Sequence, residues 1–334
     1  MSLSLGLQLA ERGLVPTTLV RAGIRGLLRQ RLASSANGAS EEEMKTKLSE
    51  SPIALETDAA NEQHYELPPE FFQIALGPFL KYSSGFWPEE VSTLGEAEER
   101  MLELTCERAH LADGQDILEL GCGWGSLSLF LARRYTNSRI VAVSNSAPQR
   151  KFIESRAPEN LSVVTADMNH FTTDRKFDRV VSVEMFEHMR NYGELLSRIH
   201  RWMRPDAKLF VHIFCHKNRT YEFETEGAGN WMGRYFFTAG LMPSYDLLPR
   251  FDEHMTLEQR WAVNGTHYQR TAAAWRENME RGRSQIIDVF RSVYKDDATL
   301  WFHRWRIFFL ACEELFGYRG GEEWMVGHYR FSPR

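Results

Sequence analysis

The chain has 334 residues, of which 40 are lysine or arginine and 45 are aspartate or glutamate. This near balance excludes a whole-protein electrostatic field that would attract nucleic acid or an anionic membrane, so we expect a small-molecule partner. The four cysteines show no metal-ligand spacing, and no run is apolar enough for a membrane span. We therefore predict an intracellular protein without a metal site or a stable membrane association.

The segment from Arg12 to Ser40 contains several arginines and serines and no acidic residue. This composition resembles an organellar transit peptide. Its apolar residues, however, follow helical spacing, and the arginines fall on another stripe, which is typical of an amphipathic helix docked on a folded body. We favour the docked helix, followed by a flexible link from Ala33 to Ser40, and keep the targeting peptide as the alternative.

A helical region is predicted from about Glu41 to His110, and beyond it the pattern changes. From Asp116 onward, short apolar and β-branched runs alternate with polar stretches of helical character; the runs are residues 117–120, 140–143, 162–164, 179–183 and 208–214. This alternation predicts a parallel sheet with crossover helices, an α/β fold. A glycine turn ends the first run, and a helix is predicted over residues 126–134 directly after it.

The glycine turn is preceded by an acid, since Glu119 is followed by Gly121, Gly123 and Gly125. Glycines let a ligand approach the backbone where the first strand of an open α/β sheet ends. A nicotinamide dinucleotide is disfavoured, because the third glycine of GxGxxG is missing and Glu119 would repel a pyrophosphate. The carboxylate suits the cationic amino acid end of S-adenosylmethionine (SAM), which carries no phosphate.

Two more polar groups follow the next strands of the predicted sheet. Asn145, after the second strand, can hydrogen bond with ribose hydroxyls, although dinucleotide folds place an acid there. Asp167, after the third strand, can accept the adenine amino group while Met168 packs on the ring. A helix N-cap is the alternative interpretation of Asp167.

The fourth strand ends in a cluster of two carboxylates and an imidazole, Glu184, Glu187 and His188. The cluster stands at the mouth of the expected ligand crevice. Metal binding is disfavoured because no second histidine lies at helical spacing, and a solvated helix start is the remaining structural alternative. An alkylamine is protonated at neutral pH, and such a cluster could hold the cation and remove its proton before methyl transfer.

With these motifs the chain resembles the coclaurine N-methyltransferase-like enzymes, a branch of SAM-dependent methyltransferases related to the cyclopropane fatty acid synthases. The similarity spans nearly the whole chain. Besides the glycine turn, its markers are Ala59 with residues 61–68, residues 80–83, Asn145 and Ser146 with Gln149, and residues 183–192, 214–217 and 316–325.

The resemblance implies a Rossmann-like, seven-stranded class I methyltransferase sheet with an N-terminal helical region and a helical cap over the active site. The implied parts are residues 1–110 (helical region and cap), 111–216 (SAM-binding core), 217–300 (cap insertion with a late core strand) and 301–334 (last helix and final strand). It implies that SAM is held by the glycine turn together with Tyr82, Ser83, Asn145, Gln149 and Asp167.

The same resemblance implies that Glu184, Glu187 and His188 face an acceptor amine of benzylisoquinoline type and that Trp231, Tyr235 and Trp324 help to enclose it. It also favours the cytoplasm and leaves a homodimer open. Cyclopropane synthases need a cysteine where this chain has Ser84, which disfavours transfer to a lipid, although Glu187 and His212 match the rest of that site. A lipid methyl or methylene transferase is therefore the alternative function.

Overall fold

The computed structural model describes residues 3–34, 39–55 and 67–334. The family marker over residues 59–66 and positions 35–38 of the predicted link lie outside these ranges. Seven strands form the main sheet in the order β3-β2-β1-β4-β5-β9-β8. Their bounds are β1 (Asp116–Leu120), β2 (Arg139–Ser144), β3 (Leu161–Thr165), β4 (Phe177–Val183), β5 (Met203–His216), β8 (Met255–Val263) and β9 (Trp324–Pro333).

The predicted runs each lie within one of the strands β1 to β5, and the seven-stranded α/β fold is confirmed. All five residues of β1 are buried, because helices cover both faces of the sheet. The sheet is not wholly parallel. The final strand β9 pairs antiparallel with β5 on one side and with β8 on the other. The residues of β9 do not indicate whether the strand runs parallel or antiparallel to its neighbours. Only the path of the chain through the fold decides this direction.

A second, small sheet joins β6 (Tyr221–Glu222) to β7 (Leu241–Met242). The helices that the structure describes are numbered here in chain order. Their bounds are α1 (Leu3–Glu11), α2 (Thr17–Ser34), α3 (Glu41–Ser49), α4 (Pro69–Ala75), α5 (Leu94–Arg108), α6 (Ser126–Arg134), α7 (Ala147–Glu154), α8 (Tyr192–Trp202), α9 (Trp231–Tyr235), α10 (Gly265–Arg281), α11 (Arg283–Tyr294) and α12 (Ala298–Phe316).

Local sequence explains several of these boundaries. Helix α5 begins at a capping box in which Thr93 and Glu96 each bond the other's backbone N–H. Helix α6 begins and ends at the predicted residues, directly after the glycine turn. Helices α10 and α12 pack against each other and bury an aromatic core that includes Trp275 and Trp305. These helices cover the edge of the sheet where the ligand crevice opens.

The N-terminal helix α2 docks on α12 through ion pairs to buried glutamates. The Arg21 guanidinium donates to Glu314 at 2.5 Å and also to Glu313, and Arg25 donates to Glu314. Both glutamate side chains are only about 5% exposed, so these contacts belong to the folded body. The docked amphipathic helix is therefore confirmed. Within the described ranges, no helix is both long and apolar enough to cross a bilayer.

We expect Arg21→Ala to lower the free energy of unfolding by about 1–3 kcal/mol, because it removes two hydrogen bonds from buried carboxylates. The control is Arg29→Ala, which changes an exposed arginine of the same helix. Urea unfolding of both variants measures the difference. Equal stability of the two variants would show that the pairing of α2 with α12 contributes nothing.

Candidate active site

The glycine turn brings the ends of β1 and β4 into close contact. Gly121, Gly123 and Gly125 have φ values of 79°, 52° and 81°, a region that favours glycine. A Cβ atom on Gly121 would lie 2.6 Å from the Cβ of Met185, so a larger residue would push the two strand ends apart. The turn thus opens a crevice at the carboxyl ends of the strands, where such sheets bind ligands.

The structure brings nearly all of the predicted cofactor residues to the wall of this crevice. They are Tyr82, Ser83, Glu119, Gly121, Gly123, Asn145, Gln149, Asp167 and Met168. Gly125 is the exception. It is the N-cap of α6, and a Cβ atom at this position would meet the Ile153 side chain of α7. Asp167 also has a local role, because it accepts a hydrogen bond from the Asn169 N–H at 2.7 Å.

Three buried hydrogen-bond donors in the crevice wall find no partner within the described part of the chain. They are Trp124 Nε1, Ser126 Oγ and Gln149 Nε2. The Gln149 side chain is held in place because its Oε1 accepts the Ser144 hydroxyl at 2.7 Å. Buried donors without partners are costly, so their presence indicates a ligand that offers acceptor oxygens.

Glu119 gives the crevice a site for a cation. It is 2% exposed and accepts the Ser128 hydroxyl. Burial raises the pKa of Glu119 to about 7. A cationic group placed beside it would lower that pKa and favour the carboxylate. The donor atoms and this carboxylate together fit the carboxylate and amino groups of an amino acid such as the methionine end of SAM.

The predicted cluster lies at the junction between the crevice and a second cavity. Glu184 and His188 line both cavities, and Glu187 lines the second. Glu184 has a φ of 48°, an uncommon conformation for a residue with a side chain, and its N–H donates to the His212 carbonyl at 2.8 Å. Strained backbone of this kind costs about 1–3 kcal/mol and is concentrated at functional sites.

The second cavity, called the aromatic chamber below, is enclosed largely by rings. Its lining includes Tyr82, Phe214, Phe223, Phe237, Tyr268, Trp275, Phe308 and Phe316. The His188 imidazole stacks on Phe237 with a centroid distance of 5.8 Å and an interplanar angle of 3°. Aromatic walls with a few polar groups are typical of sites for small apolar ligands.

The three aromatic residues predicted to enclose a substrate lie elsewhere in the fold. Trp231 donates its indole N–H to Glu11 at 2.7 Å, and Tyr235 lies under the Arg304 guanidinium at 4.2 Å. Trp324 donates its indole N–H to the Tyr221 hydroxyl at 2.9 Å. None of the three lines the aromatic chamber. Aromatic density in a sequence does not separate rings that support a wall from rings that form it.

The junction is a poor environment for negative charge. Burial raises the pKa of Glu184 to about 7. Burial and the neighbouring Glu184 raise the pKa of Glu187 well above its ordinary value. Glu187 Oε2 is buried and has no hydrogen-bond partner among the residues that the structure describes. Glu184 is therefore largely neutral until pH rises through about 7, and the pKa of Glu187 lies well above its usual range because of burial and the neighbouring Glu184. A cation that arrives beside them favours their carboxylate forms.

Two further residues act on the acid cluster, and the sequence alone did not assign either of them to it. One donates a hydrogen bond to Glu184, and the other carries a positive charge that favours its carboxylate form. Tyr268, on α10, donates its hydroxyl to Glu184 Oε2 at 2.7 Å. Lys81 is 2% exposed, donates to the Ser83 hydroxyl, and has a pKa lowered by burial to about 8. Lys81 lies within the family marker at residues 80–83, so a signal for it existed. Nothing local marks Tyr268 among the other aromatic residues.

We expect Gly121→Ala to weaken SAM binding by at least about tenfold and to destabilise the fold, because the added methyl meets Met185. The matched control is Gly114→Ala, since Gly114 also has a left-handed φ, 84°, but no atom within 4 Å of an added Cβ. Gly121→Ala should lower the free energy of unfolding by about 1–3 kcal/mol more than this control does. Calorimetry measures the affinity for SAM, and urea unfolding measures the stability. Equal losses of stability in the two variants would contradict the close approach of Gly121 to Met185.

Comparison with known proteins agrees with this geometry. Residues 55–321 match the family model described as mycolic acid cyclopropane synthetase. An (S)-coclaurine N-methyltransferase of Papaver somniferum is 36% identical over 338 residues, which is 97% of this chain and 96% of that protein. A pavine N-methyltransferase of Thalictrum flavum subsp. glaucum is 32% identical over 84% of this chain and 82% of its own length.

A solved structure extends the similarity to three dimensions. The crystal structure of a coclaurine N-methyltransferase bound to N-methylheliamine and SAH superposes with a TM-score of 0.93 at 35% identity, and the alignment covers 98% of each chain. Similarity of this extent includes the sheet, the glycine turn and the helices around the chamber. The chain therefore belongs to the mycolic acid cyclopropane synthetase family and, within it, to the coclaurine N-methyltransferase branch of SAM-dependent methyltransferases.

Proposed function

We propose that the chain transfers the methyl group of SAM to the nitrogen of a small aromatic amine of benzylisoquinoline type. The observation that carries the proposal is the junction, where Glu184 and His188 line both the crevice and the aromatic chamber. A donor in one cavity and an amine in the other would meet at these side chains. The names of the relatives, which are coclaurine and pavine N-methyltransferases, support the same acceptor class.

The crevice residues would hold SAM by matching its groups. Glu119 would bind the cationic amino group, and the unpartnered donors of Trp124, Ser126 and Gln149 would bind its oxygens. Asn145 would hydrogen bond with the ribose, and Asp167 would accept the adenine amino group beside Met168. When bound, SAM supplies a methyl group that is electrophilic because it is attached to a sulfonium.

The acceptor amine would enter the chamber as an ammonium ion. Aromatic faces attract such a cation, and its arrival favours the carboxylate forms of Glu184 and Glu187. His188, which lies at the junction, would then take the proton from the nitrogen as a general base and leave the lone pair free. The proposed role of the cluster is therefore to hold the amine, deprotonate it and aim it at the donor.

A lipid methyl or methylene transferase is the second candidate, because the family model is named for mycolic acid cyclopropane synthetases. In this chain Ser84 stands where a cysteine is expected, and its hydroxyl donates a hydrogen bond to the Gly85 carbonyl at 2.9 Å. The aromatic lining of the chamber also suits a ring-containing amine better than an acyl chain. We propose a cytoplasmic location, since α2 is ion-paired into the body rather than free to serve as a targeting peptide.

The decisive assay supplies purified protein with methyl-labelled SAM and either a secondary benzylisoquinoline amine or vesicles of phospholipid with unsaturated acyl chains. We expect the mass gain of one methyl on the amine and none on the lipid. Labelled acyl chains with silent amines would reverse the ranking. Calorimetry with SAM and with NAD in the same preparation separates loss of activity from loss of the donor site.

We expect His188→Ala to retain SAM affinity but to lower turnover at neutral pH by about 10²–10⁴-fold, the usual contribution of a general base. Turnover should recover in part at higher pH, where more of the amine is already neutral. His254→Ala, outside both cavities, is the control. Loss of SAM affinity in His188→Ala, or a deficit that does not change with pH, would contradict the assignment of the base.

A further inference from the structure

A row of side chains crosses three neighbouring strands behind the junction. His212 of β5 lies opposite His328 of β9, and His328 lies opposite Trp261 of β8. Both histidines are fully buried, and neither lines the crevice or the chamber. Arg108, the last residue of α5, lies over the Trp261 ring at 4.8 Å. The register of the sheet thus aligns the two histidines, and Arg108 at the end of α5 extends the row at the side away from Glu184.

The contacts along this row are continuous. Arg108 Nη1 is 2.7 Å from His328 Nδ1, and His328 Nε2 is 2.9 Å from His212 Nδ1. His212 Nε2 then lies 3.4 Å from Glu184 Oε1, which is long for a hydrogen bond. Both of these last atoms are buried and have no hydrogen-bond partner among the described residues, so each is the other's available partner.

The donor at one end determines the proton positions along the whole row. A guanidinium only donates, so His328 Nδ1 must accept, and His328 can carry its proton only on Nε2. That proton points at His212 Nδ1, which must accept in turn. His212 therefore also carries its proton on Nε2, the ring nitrogen that lies 3.4 Å from Glu184 Oε1. Neither ring can become an imidazolium without placing two donors against each other.

We propose that Arg108, His328 and His212 form a buried donor relay that keeps both histidines as Nε2–H tautomers and holds Glu184 as the anionic anchor for the acceptor's ammonium group. These three are positioning residues, and their role in turnover rests on the proposed function. The relay offers Glu184 Oε1 a donor and no acceptor, so it favours the carboxylate over the acid. The 3.4 Å contact tightens when Glu184 ionises, since hydrogen bonds to a charged acceptor are shorter.

Other groups also act on Glu184 and stay constant when the relay is changed. Tyr268 of α10 donates to Oε2 at 2.7 Å, Lys81 attracts the carboxylate, and Glu187 repels it. The Cys312 thiol of α12 also lies within electrostatic range. None of these residues contacts Arg108 in the row. A change at Arg108 therefore reaches Glu184 through His328 and His212, whose pKa values burial and the Arg108 charge both lower.

The first test is the pH profile of kcat/KM for Arg108→Met, which removes the donor that fixes the row. We expect its acidic limb to move to higher pH by roughly half a unit to one unit, with SAM affinity unchanged. Arg108→Lys keeps a donor and should restore most of the profile. Arg100→Met is the matched control, because Arg100 lies on the same helix and pairs only with Glu103 at 3.2 Å within the described residues.

The second test reads the tautomers directly and needs no activity. Nitrogen-15 NMR of histidine-labelled protein, assigned with His212→Asn and His328→Asn, should show both rings neutral with the proton on Nε2 from pH 5 to 9. In Arg108→Met, His328 should lose this preference. An Nδ1 proton or an imidazolium on either ring of the unaltered protein, or identical spectra and pH profiles in Arg108→Met, would overturn the relay.

The two proposals fail separately. If the unaltered protein methylates no amine while NMR finds both Nε2–H tautomers and their loss in Arg108→Met, the relay stands and the proposed acceptor is wrong. If the protein methylates an amine while the tautomers differ from those expected, the acceptor stands and the relay is wrong.

Discussion

The cost of placing negative charge in a buried site governs the arrangement around the junction. Glu184 and Glu187 lie side by side away from water, where each disfavours the ionisation of the other. The fold offsets part of this cost with the Tyr268 hydroxyl and the Lys81 ammonium. The remaining cost is not offset by the fold, and the positive charge of a cationic ligand can offset it. In the proposed function, this uncompensated charge would give the site its preference for an amine.

The N-terminal helix shows the opposite treatment of buried acids. Glu313 and Glu314 are as deeply buried as the acids of the junction, but Arg21 and Arg25 of α2 and Arg276 of α10 supply their counter-charges. Paired carboxylates of this kind hold helices together, and breaking them is costly. The contrast within one chain is between buried acids that have arginine partners and the junction acids, which we propose to bind a cationic ligand. Unpartnered atoms mark the second kind.

Much of the site could be predicted from local pattern. A strand, a glycine turn and a helix are consecutive in the chain, and parallel strands deliver their ends to one edge, so Glu119, Asn145, Asp167 and Glu184 were expected in one crevice. The aromatic wall could not be predicted in this way. Rings such as Trp324 and Phe237 both suit a buried position, and only their place in the tertiary packing decides which of them faces the chamber.

The sequence by itself determined the α/β class, the glycine turn and the acid cluster at the end of the fourth strand, because these depend on neighbours a few positions away. The tertiary structure decided the antiparallel β9 and every partner of Glu184. Tyr268 is 84 positions from Glu184, and the contacts of His328 with His212 and Arg108 span 116 and 220 positions. Contacts at such separations arise from strand order and register, which no local pattern of residues encodes.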